Sequence, residues 1–476
     1  MNDTCDAAPF IAGEWRGAKD RLAQPIFNPA TGAEIGRVVH ANAADLDDAL
    51  AATNRGFRAF RAISPDERAR ILVSAAANLR ARAARIARTV TLEQGKPLAE
   101  ALGEVSAAAA LLDFHAGEAV RIYGRVLMRA PGSRSLVLHQ PVGPVAAFCA
   151  WNFPVLNPVR KLGPALAAGC SIILKPSEET PASASEVLRC FLDAGLPPDT
   201  AQLVFGDPDA ISRHLLASPV TRKLSFTGSV SVGKHLMKLA AETVMKMTME
   251  LGGHAPVLVF EDCQLDRTLD ILAAHKFRNA GQVCIAPTRF YVQEDIYDAF
   301  VGGFAERARA LPVGNGLDAV NRMGPMANPR RPEVIAAMVE DARSVGARLV
   351  AGGTAGDGSG YFFAPTVLAN VPPAAQVMNE EPFGPVALIC PFSDDDDAIA
   401  KANRLPFGLA AYCFTENGRR QNLMGDAIEA GMVLINQVRA TWPDAPFGGL
   451  KESGFGSEDG PEGVAAHLNA KAVHIA

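Results

Sequence analysis

The chain has 476 residues and a formal net charge of −5, with 49% hydrophobic and 20% charged residues. This balance is ordinary for a soluble globular protein, and the length predicts two or three domains. The mild acidity excludes a basic nucleic-acid-binding face, and no apolar run reaches the roughly 18 residues of a membrane span. The first residues, MNDTCDAAPFIAGEW, do not have the pattern of a secretory signal, so a cytoplasmic location is expected.

The cysteines and histidines narrow the chemistry further. The eight cysteines are widely and irregularly spaced, with no C-x-x-C pair, which argues against a disulfide scaffold. The histidines never pair at helical spacing, so no metal site is predicted. Cys284, between a glycine-rich turn and a proline, is therefore either a buried spacer or a nucleophile whose base lies elsewhere in the chain.

Periodicity predicts the elements in the first part of the chain. Three alanine-rich helices are expected over residues 45–60, 65–88 and 98–120. Residues 122–141 then contain two β-rich runs around a Pro-Gly-Ser turn, which predicts a hairpin.

After the hairpin, short apolar runs alternate with helical stretches. Strands are predicted at 144–149, 171–175, 202–204, 223–226 and 256–260, with helices that start near Val159, Ala182, Asp209 and Ser229. Such alternation indicates a doubly wound parallel sheet.

A second α/β set is predicted in the remainder. Its strands are 290–292, 349–351, 386–389, 411–414 and 433–435, and its helices lie near 265–280, 295–310, 331–345, 395–403 and 418–430. The acidic run 394–397 is interpreted as a helix N-terminus, where negative charge suits the helix dipole.

The stretch SFTGSVSVGKH, residues 225–235, follows a strand and opens a helix. Gly228, Gly233 and Lys234 imitate a phosphate-binding P-loop, but His235 stands where that loop needs Ser or Thr. ATP-dependent phosphoryl transfer is kept as a rival hypothesis. The other interpretations are a pyrophosphate site at a helix N-terminus and a plain Gly-Ser turn.

Polar residues follow two of the predicted strands, and Glu250 stands at the end of a helix or strand before two glycines. In IILKPSEETP (172–181), Lys175 and Glu178 are placed to bind a ribose, or they form a solvated charge pair. Asn152 in AWNFP (150–154) is either a turn residue or an oxyanion donor. Glu250 in MELGGHAP (249–256) is either a partly buried base with a raised pKa or a surface carboxylate.

Together with motifs further along the chain, these motifs resemble those of a known family. AWNFP, KPSE, FTGS, MELGG, GQVC, EEPFGPV and PFGGLKESGFG stand in the order and spacing of the aldehyde dehydrogenase superfamily, from about Phe10 to the C-terminus. Stretches such as RKLGPALAAGCS and KFRNAGQVCIAPTRF resemble the bacterial NAD(P)-dependent semialdehyde dehydrogenases, which act on succinate semialdehyde and 2-oxoglutarate semialdehyde (2,5-dioxovalerate).

The resemblance implies the chemistry. Cys284 is the expected nucleophile, which forms a thiohemiacetal and then a thioester, with Asn152 and the Cys284 N–H holding the oxyanion. Glu250 is the expected base for hydrolysis, and Lys161 and Glu458 are expected to assist it in relaying protons. Because free cysteine has a pKa of about 8.5, modest local help is expected to make it nucleophilic.

The resemblance also implies a dinucleotide site. The cofactor-binding residues carried over are Ala150, Trp151, Lys175, Ser177, Glu178, Gly206, Phe226, Thr227, Gly228, Ser229, Leu251, Glu381 and Phe383. NAD is the expected cofactor because the Glu178 carboxylate would repel a 2′-phosphate, with NADP as a possibility.

The expected substrate is a small aldehyde that carries a distal carboxylate. The substrate-binding candidates are Asn157, Arg160, Arg278, Arg439 and Phe447. Arg160 and Arg278 match carboxylate-binding arginines of the semialdehyde enzymes, and each could instead form a surface or interdomain salt bridge. Arg439 stands where relatives have a small residue; it either indicates a longer, more acidic or sulfonated substrate or faces solvent.

The resemblance implies two doubly wound α/β domains and a small β oligomerisation domain. Residues 1–121 and 142–250 are the expected NAD-binding domain, 251–435 the catalytic domain, and 122–141 with 464–476 the oligomerisation arm. Residues 436–463 are expected to return along the active-site mouth. A homodimer or homotetramer is expected. The alternatives are a CoA-acylating enzyme and a non-catalytic relative.

Overall fold

The computed structural model describes residues 4–356 and 358–476. The helices are α1 Ala43–Phe60, α2 Pro65–Ala81, α3 Ala83–Gln94, α4 Leu98–Ala119, α5 Leu156–Ala168, α6 Pro181–Leu192, α7 Pro208–Ala217, α8 Val230–Ala241, α9 Leu265–Phe277, α10 Tyr297–Ala310, α11 Arg330–Ser344, α12 Asp395–Asn403, α13 Gly418–Ala427 and α14 Gly460–Ala465. Short 3₁₀ turns cover Arg278–Gly281, Glu294–Ile296 and Gln376–Met378.

The strands, in chain order, are β1 Phe10–Ile11, β2 Glu14–Trp15, β3 Ala23–Phe27, β4 Glu34–Val39, β5 Arg125–Met128, β6 Arg134–Pro141, β7 Val145–Phe148, β8 Ile172–Lys175, β9 Ala201–Leu203, β10 Lys223–Thr227, β11 Lys246–Glu250, β12 Ala255–Val259, β13 Pro287–Gln293, β14 Arg348–Ala351, β15 Thr366–Ala369, β16 Val386–Phe392, β17 Phe407–Gly408, β18 Ala410–Phe414, β19 Met432–Ile435, β20 Leu450–Lys451, β21 Gly454–Phe455 and β22 Leu468–Ile475.

The first sheet has the strand order β2-β1-β9-β8-β7-β10-β11-β21. Its central strands β9, β8, β7, β10 and β11 are parallel, while β1, β2 and β21 add antiparallel edges. Crossover helices α5 to α8 connect the parallel strands, as the alternating pattern predicted.

The second sheet has the order β14-β15-β16-β13-β12-β18-β19, with only β14 antiparallel to its neighbour. The predicted α/β class is confirmed in both halves. Ten of the described strands were not predicted, because short or mixed apolar runs carry little periodicity: β1 to β4, β11, β15, β17, β20, β21 and β22.

A third sheet has the order β22-β6-β5. The predicted hairpin is present as β5 and β6, and β22 pairs antiparallel with β6 from Leu468 to Ile475. On strand β5, Val126 and Met128 are 63% and 79% exposed. The proposed domain bounds, including this arm, remain a prediction.

One predicted helix, over 65–88, is wrong in its continuity. It is two helices, α2 and α3, because Arg82 leaves helical geometry with φ −104° and ψ 8°. The Arg82 side chain then pairs with Asp193, at the end of α6. A run of alanines with helical periodicity did not reveal the break.

The carboxyl ends of four parallel strands meet at one edge of the first sheet. Phe148 of β7 lies beside Lys175 of β8, and Thr227 of β10 lies beside Glu250 of β11. The motifs after these strands are therefore neighbours in space, which is where doubly wound sheets bind ligands. Among the described residues, no helix is both long and apolar enough to cross a membrane.

Candidate active site

A cavity of about 400 Å³ opens at this edge of the first sheet. The predicted site residues that line it are Ala150, Trp151, Asn152, Asn157, Arg160, Thr227, Gly228, Ser229, Glu250, Arg278, Cys284, Glu381, Phe383 and Phe447. The size is typical of a small-molecule site. One cavity therefore gathers residues from widely separated parts of the chain.

An unusual backbone turn presents Cys284 to this cavity. Asn279 and Ala280 have φ of 49° and 52°, and Gly281 has φ of 70°. A side chain at Gly281 would place its Cβ 2.1 Å from the Gly384 carbonyl oxygen. Non-glycine residues in the left-handed region are strained, and such strain persists only where the surroundings hold it.

A buried network of amides holds the turn. Gln94 Nε2 donates to Asn279 Oδ1 at 2.7 Å, and Asn279 Nδ2 donates to the Asn152 carbonyl at 3.0 Å. Gln282 Oε1 accepts the Ala327 N–H at 2.9 Å. Since these groups are buried, their bonds are strong and leave Cys284 in one position.

The same network orients the Asn152 amide. Its Oδ1 accepts a bond from Asn157 Nδ2 at 3.2 Å, and its Nδ2 donates to the Gln282 carbonyl at 3.2 Å. One N–H of Nδ2 is left for a group in the cavity, because an amide nitrogen has two. The simple turn role weighed for Asn152 does not explain its burial.

Glu250 ends strand β11 with a side chain that is only 2% exposed, so the surface-carboxylate interpretation is wrong. Its Oε1 is buried without a hydrogen-bond partner among the described residues. Burial and the neighbouring Glu458 raise the pKa of Glu250 to about 8, opposed by the charges of Arg160 and Lys161. A carboxyl group with this pKa is suited to take up a proton near neutral pH.

Lys161 and Glu458 form a buried ion pair behind Glu250. Thr227 Oγ1 donates to Glu458 Oε1 at 3.0 Å, while Glu458 Oε2 is buried without a described partner. The two residues predicted to assist Glu250 are thus joined to each other, and their role as a proton relay remains a prediction.

The electrostatics of Cys284 differ from the sequence expectation. Burial, with the nearby Glu250 and Glu381 carboxyl groups, raises the pKa of the Cys284 thiol well above its ordinary value, and Arg160 acts in the opposite direction. Cys284 and Glu250 lie close enough for each to shift the pKa of the other. The resting thiol is therefore protonated and needs a base beside it.

Lys175 and Glu178 lie at the end of β8, as predicted. Lys175 Nζ contacts Glu178 Oε2 at 2.6 Å, and the Gly206 N–H donates to Glu178 Oε1 at 2.9 Å. Glu178 and Gly206 line a second cavity, which shares Glu179, Asn328 and Arg330 with the first. Ser177 does not reach the cavities; its hydroxyl donates to Glu179.

The residues at the start of helix α8, Gly228 and Ser229, line the first cavity. Ser229 caps the helix by accepting the Val232 N–H, and no acidic residue occupies the first turn. A Cβ at Gly228 would lie 2.4 Å from the Phe226 ring, so only glycine lets the backbone approach here. Leu251 is buried and packs against Gly233 rather than lining the cavity.

Glu381, Phe383 and Trp151 also line the cavity that contains Cys284. The Trp151 and Phe383 rings meet edge to face with centroids 5.5 Å apart. The Gly253 N–H donates to Glu381 Oε1 at 3.3 Å, and burial raises the pKa of Glu381 to about 8. A Cβ at Gly252 would lie 2.3 Å from Glu381 Oε2, and a Cβ at Gly253 would lie 2.8 Å from the Cys284 carbonyl oxygen, so both positions are crowded for a side chain.

Two arginines line the same cavity as Cys284. Arg160 stacks on Phe447, with its guanidinium carbon 3.9 Å from the ring centroid, and Arg278 lies 5.4 Å from the centroid of Phe153. Arg160 also forms a buried ion pair with Asp459, at 2.8 Å between Nη2 and Oδ2. The salt-bridge interpretation weighed for Arg160 is thus partly correct.

The structure does not bring Arg439 into this group. Arg439 is exposed and stacks on Trp442, with its guanidinium carbon 3.5 Å from the ring centroid. A contact with substrate remains only a prediction for this residue.

Several residues of the site had no signal in the sequence. Glu104 accepts the Val155 and Leu156 N–H groups at the start of α5, at 2.7 and 3.1 Å. Lys96 bridges Glu104 and the Asn152 carbonyl at 2.6 and 2.8 Å. Both residues lie in or beside helices of ordinary composition, and only tertiary contacts reveal their part in fixing Asn152.

Comparison with known proteins agrees with this geometry. Residues 15–473 match the model of the aldehyde dehydrogenase family. The chain is 48% identical over 466 residues to 4-(hydroxymethyl)benzenesulfonate dehydrogenase TsaD1 of Comamonas testosteroni, covering 98% of this chain and 97% of that protein. It is 42% identical over 470 residues to the succinate-semialdehyde dehydrogenase [NADP(+)] GabD of Escherichia coli strain K12, with 98% and 97% coverage.

A solved structure shows the same fold with a cofactor in place. The betaine aldehyde dehydrogenase of Staphylococcus aureus in complex with NAD+ superposes with a TM-score of 0.96 at 31% identity, covering 98% of this chain and 94% of that one. The phosphoryl-transfer and non-catalytic hypotheses are therefore set aside. The cavity and these matches together show that the chain belongs to the aldehyde dehydrogenase family and is an oxidoreductase that acts on aldehydes with NAD or NADP.

Proposed function

We propose that this enzyme oxidises an aldehyde with a distal anionic group, such as succinate semialdehyde or 2-oxoglutarate semialdehyde, to the acid. The observation that carries the proposal is the placement of Arg160 and Arg278 on the walls of the cavity that contains Cys284. Two guanidinium groups beside a nucleophile suit a substrate whose carboxylate is bound through charge-assisted hydrogen bonds.

The first half of the reaction rests on Cys284. Glu250 takes the thiol proton, and the sulfur attacks the aldehyde carbon. The free N–H of Asn152 Nδ2 and the Cys284 backbone N–H receive the developing oxyanion. NAD or NADP, when bound, would supply the acceptor for the hydride of that carbon, and loss of the hydride would leave a thioester on Cys284.

The second half rests on Glu250. Its carboxylate takes a proton from a water molecule, which attacks the thioester and releases the acid and the thiol. Glu250 must first lose the proton that it took from the thiol, so that it is a carboxylate again. The Lys161–Glu458 pair, which lies next to Glu250, supports the proposal that this proton and the one from water are passed on through it. The presence of Glu250 argues against the alternative of a CoA-acylating enzyme.

The residues present fit the dinucleotide. Gly228 allows close backbone approach at the start of α8, where free N–H groups favour a pyrophosphate. Glu178 is held by Lys175 and Gly206 with its carboxylate facing the adjoining cavity, where it could accept ribose hydroxyls. Glu381, Phe383 and Trp151 would hold the nicotinamide half beside Cys284.

A second candidate substrate is an aromatic aldehyde with a distal sulfonate or carboxylate. The rings of Phe153 and Phe447, with Leu156 and Ile285, give the cavity flat apolar walls. The relative from Comamonas is named for a benzenesulfonate. A sulfonate would use the same arginines as a carboxylate.

Removing either arginine is the test of this proposal. We expect Arg160→Ala and Arg278→Ala to raise KM for succinate semialdehyde or 4-sulfobenzaldehyde by about 10- to 100-fold, since a charged hydrogen bond contributes about 1.5–3 kcal/mol. KM for butanal or benzaldehyde, which lack the anion, changes little. Arg267→Ala, an exposed arginine on α9, is the matched control. Equal effects on charged and uncharged aldehydes would refute the binding of the substrate anion by Arg160 and Arg278, which is called the arginine clamp below.

The pH dependence follows from Glu250. Because burial and Glu458 raise its pKa to about 8, the base is protonated below that pH and active above it. Hydrolysis of the thioester, followed as the steady rate of NADH formation after the first turnover, therefore speeds up between about pH 6 and about pH 9. Stopped-flow measurements of NADH formation report this phase. A flat profile across that range would contradict the assignment of Glu250.

We also propose that the enzyme is a cytoplasmic homo-oligomer. In the part of the chain that the structure describes, the third sheet, β22-β6-β5, has β22 and β5 as unpaired edge strands, and the exposed Val126 and Met128 lie on β5. Edges of this kind are usually completed by another chain. Light scattering coupled to size exclusion measures the size, and a monomer at micromolar concentration would be the opposing result.

A further inference from the structure

Asp459 stands immediately after Glu458 and precedes helix α14. It is an N-cap residue with extended backbone, φ −96° and ψ −178°, but its side chain makes no capping bond to that helix. An aspartate at this position usually accepts a helix N–H, and losing a cap costs about 1 kcal/mol. The carboxylate of Asp459 is turned elsewhere.

Both of its oxygens accept bonds from Arg160. The distances are 3.1 Å from Nε to Oδ1 and 2.8 Å from Nη2 to Oδ2. This side-on bidentate contact occupies one edge of the guanidinium and leaves Nη1 and the outer N–H of Nη2 on the other edge. The contact therefore fixes how the guanidinium is rotated within its plane.

Phe447 fixes the plane itself. The Arg160 guanidinium lies against this ring, and both side chains line the cavity of Cys284. Backbone bonds tie the two partners of Arg160 together: Glu458 N–H donates to the Phe447 carbonyl at 2.9 Å, and Gly460 N–H donates to the Pro443 carbonyl at 3.0 Å. Asp459 and Phe447 are thus held together as one binding surface for the Arg160 guanidinium, called the Arg160 support below.

Helix α14 packs against the Arg160 support. A Cβ at Gly463 would lie 2.1 Å from the Glu458 carbonyl oxygen, so α14 packs directly on the backbone before Asp459. The consecutive acids Glu458 and Asp459 then meet the consecutive bases Lys161 and Arg160 of α5. The first pair lies by the base Glu250, and the second lies on the substrate wall.

A buried ion pair is weak support for stability, because removing both charges from water costs about what their attraction returns. The Arg160–Asp459 pair also costs helix α14 its cap, so the pair is better explained by the orientation that it gives to the Arg160 guanidinium.

We propose that Asp459 is a positioning residue that sets substrate specificity by aiming the free edge of Arg160 at the anionic end of the aldehyde. This inference rests on the proposed function, since it needs an anionic substrate. Asp459 itself does not touch the substrate. Its removal would leave Arg160 stacked on Phe447 but free to turn away.

The experiment compares Asp459→Ala, Asp459→Asn, Arg160→Ala and the double variant Arg160→Ala/Asp459→Ala. KM and kcat are measured for succinate semialdehyde against butanal, and for 4-sulfobenzaldehyde against benzaldehyde. Asp459→Ala raises KM for the charged aldehydes by about 10-fold or more, as expected for a lost charged contact, with kcat and the uncharged aldehydes within about 3-fold. The double variant is no worse than Arg160→Ala alone.

Asp459→Asn keeps an acceptor and lies between wild type and Asp459→Ala. It decides the question if the alanine variant does not fold. Asp444→Ala, an exposed aspartate of the same segment, is the control and leaves both kinds of substrate unchanged. Equal losses on charged and uncharged aldehydes, an unchanged KM, or additive losses in the double variant would each overturn the inference. If Arg160→Ala itself shows no selectivity, the arginine clamp of the proposed function fails instead.

Discussion

Cys284→Ala abolishes aldehyde-dependent NADH formation, with kcat lowered by about 10⁴-fold or more, as expected when a covalent nucleophile is removed. The loss is in chemistry and not in folding, because alanine fits where the thiol stood and the amide network around the turn does not use the sulfur. Binding of NAD, followed by fluorescence titration, stays within a few-fold of the wild type. The rate is followed by the absorbance of NADH.

The control for this variant is Cys263→Ala. Cys263 and Cys284 are the two cysteines that are partly exposed, and the other cysteines are buried. Cys263 lies after strand β12, outside the residues that line the cavity. Full activity in Cys263→Ala together with its loss in Cys284→Ala assigns the nucleophile; substantial activity in Cys284→Ala would remove the assignment.

Glu250→Gln gives the second large effect. The amide cannot accept a proton, so hydrolysis of the thioester slows by about 10²- to 10⁴-fold, the usual contribution of a general base. Stopped-flow traces should then show one NADH per active site in a first phase, followed by very slow turnover.

Glu250 is also the base expected for the Cys284 thiol, so the first phase slows as well, though less than hydrolysis. Its matched control is Glu242→Gln, an exposed glutamate at the end of α8. If the first phase disappears while a pre-formed thioester is hydrolysed at the wild-type rate, Glu250 serves the thiol alone and the proposed second step is wrong.

The sequence was most informative where residues follow parallel strands. Asn152, Glu178, Gly228 and Glu250 each follow or end a strand of the first sheet, and the carboxyl ends of such strands must meet. For the first three residues, whose strands were predicted, this gathering could be predicted without knowing any side-chain contact, whereas β11, which ends in Glu250, was not predicted. The resemblance to a known family then gave each residue its expected role.

Long-range charge contacts could not be predicted in this way. The Arg160–Asp459 pair joins residues 299 positions apart, and nothing in the sequence around Asp459 indicates that its carboxylate abandons its own helix. For the same reason the raised pKa of Cys284 was not foreseen, since it depends on burial and on Glu250 and Glu381 from distant segments.

Local backbone geometry was also hidden in places. Asn279 and Ala280 adopt left-handed conformations that residue type does not suggest, and the predicted helix over 265–280 ends instead at Phe277. Arg439 is exposed and stacks on Trp442, and the loop sequence specifies neither feature.

The most direct measurement is the mass of the Glu250→Gln enzyme after mixing with NAD and an anionic aldehyde, followed by peptide mapping at acidic pH. A covalent route through the Cys284 thioester predicts one acyl group per chain, located on the peptide that contains Cys284. A protein of unchanged mass after NADH has formed, or an acyl group on a different cysteine, would contradict that route.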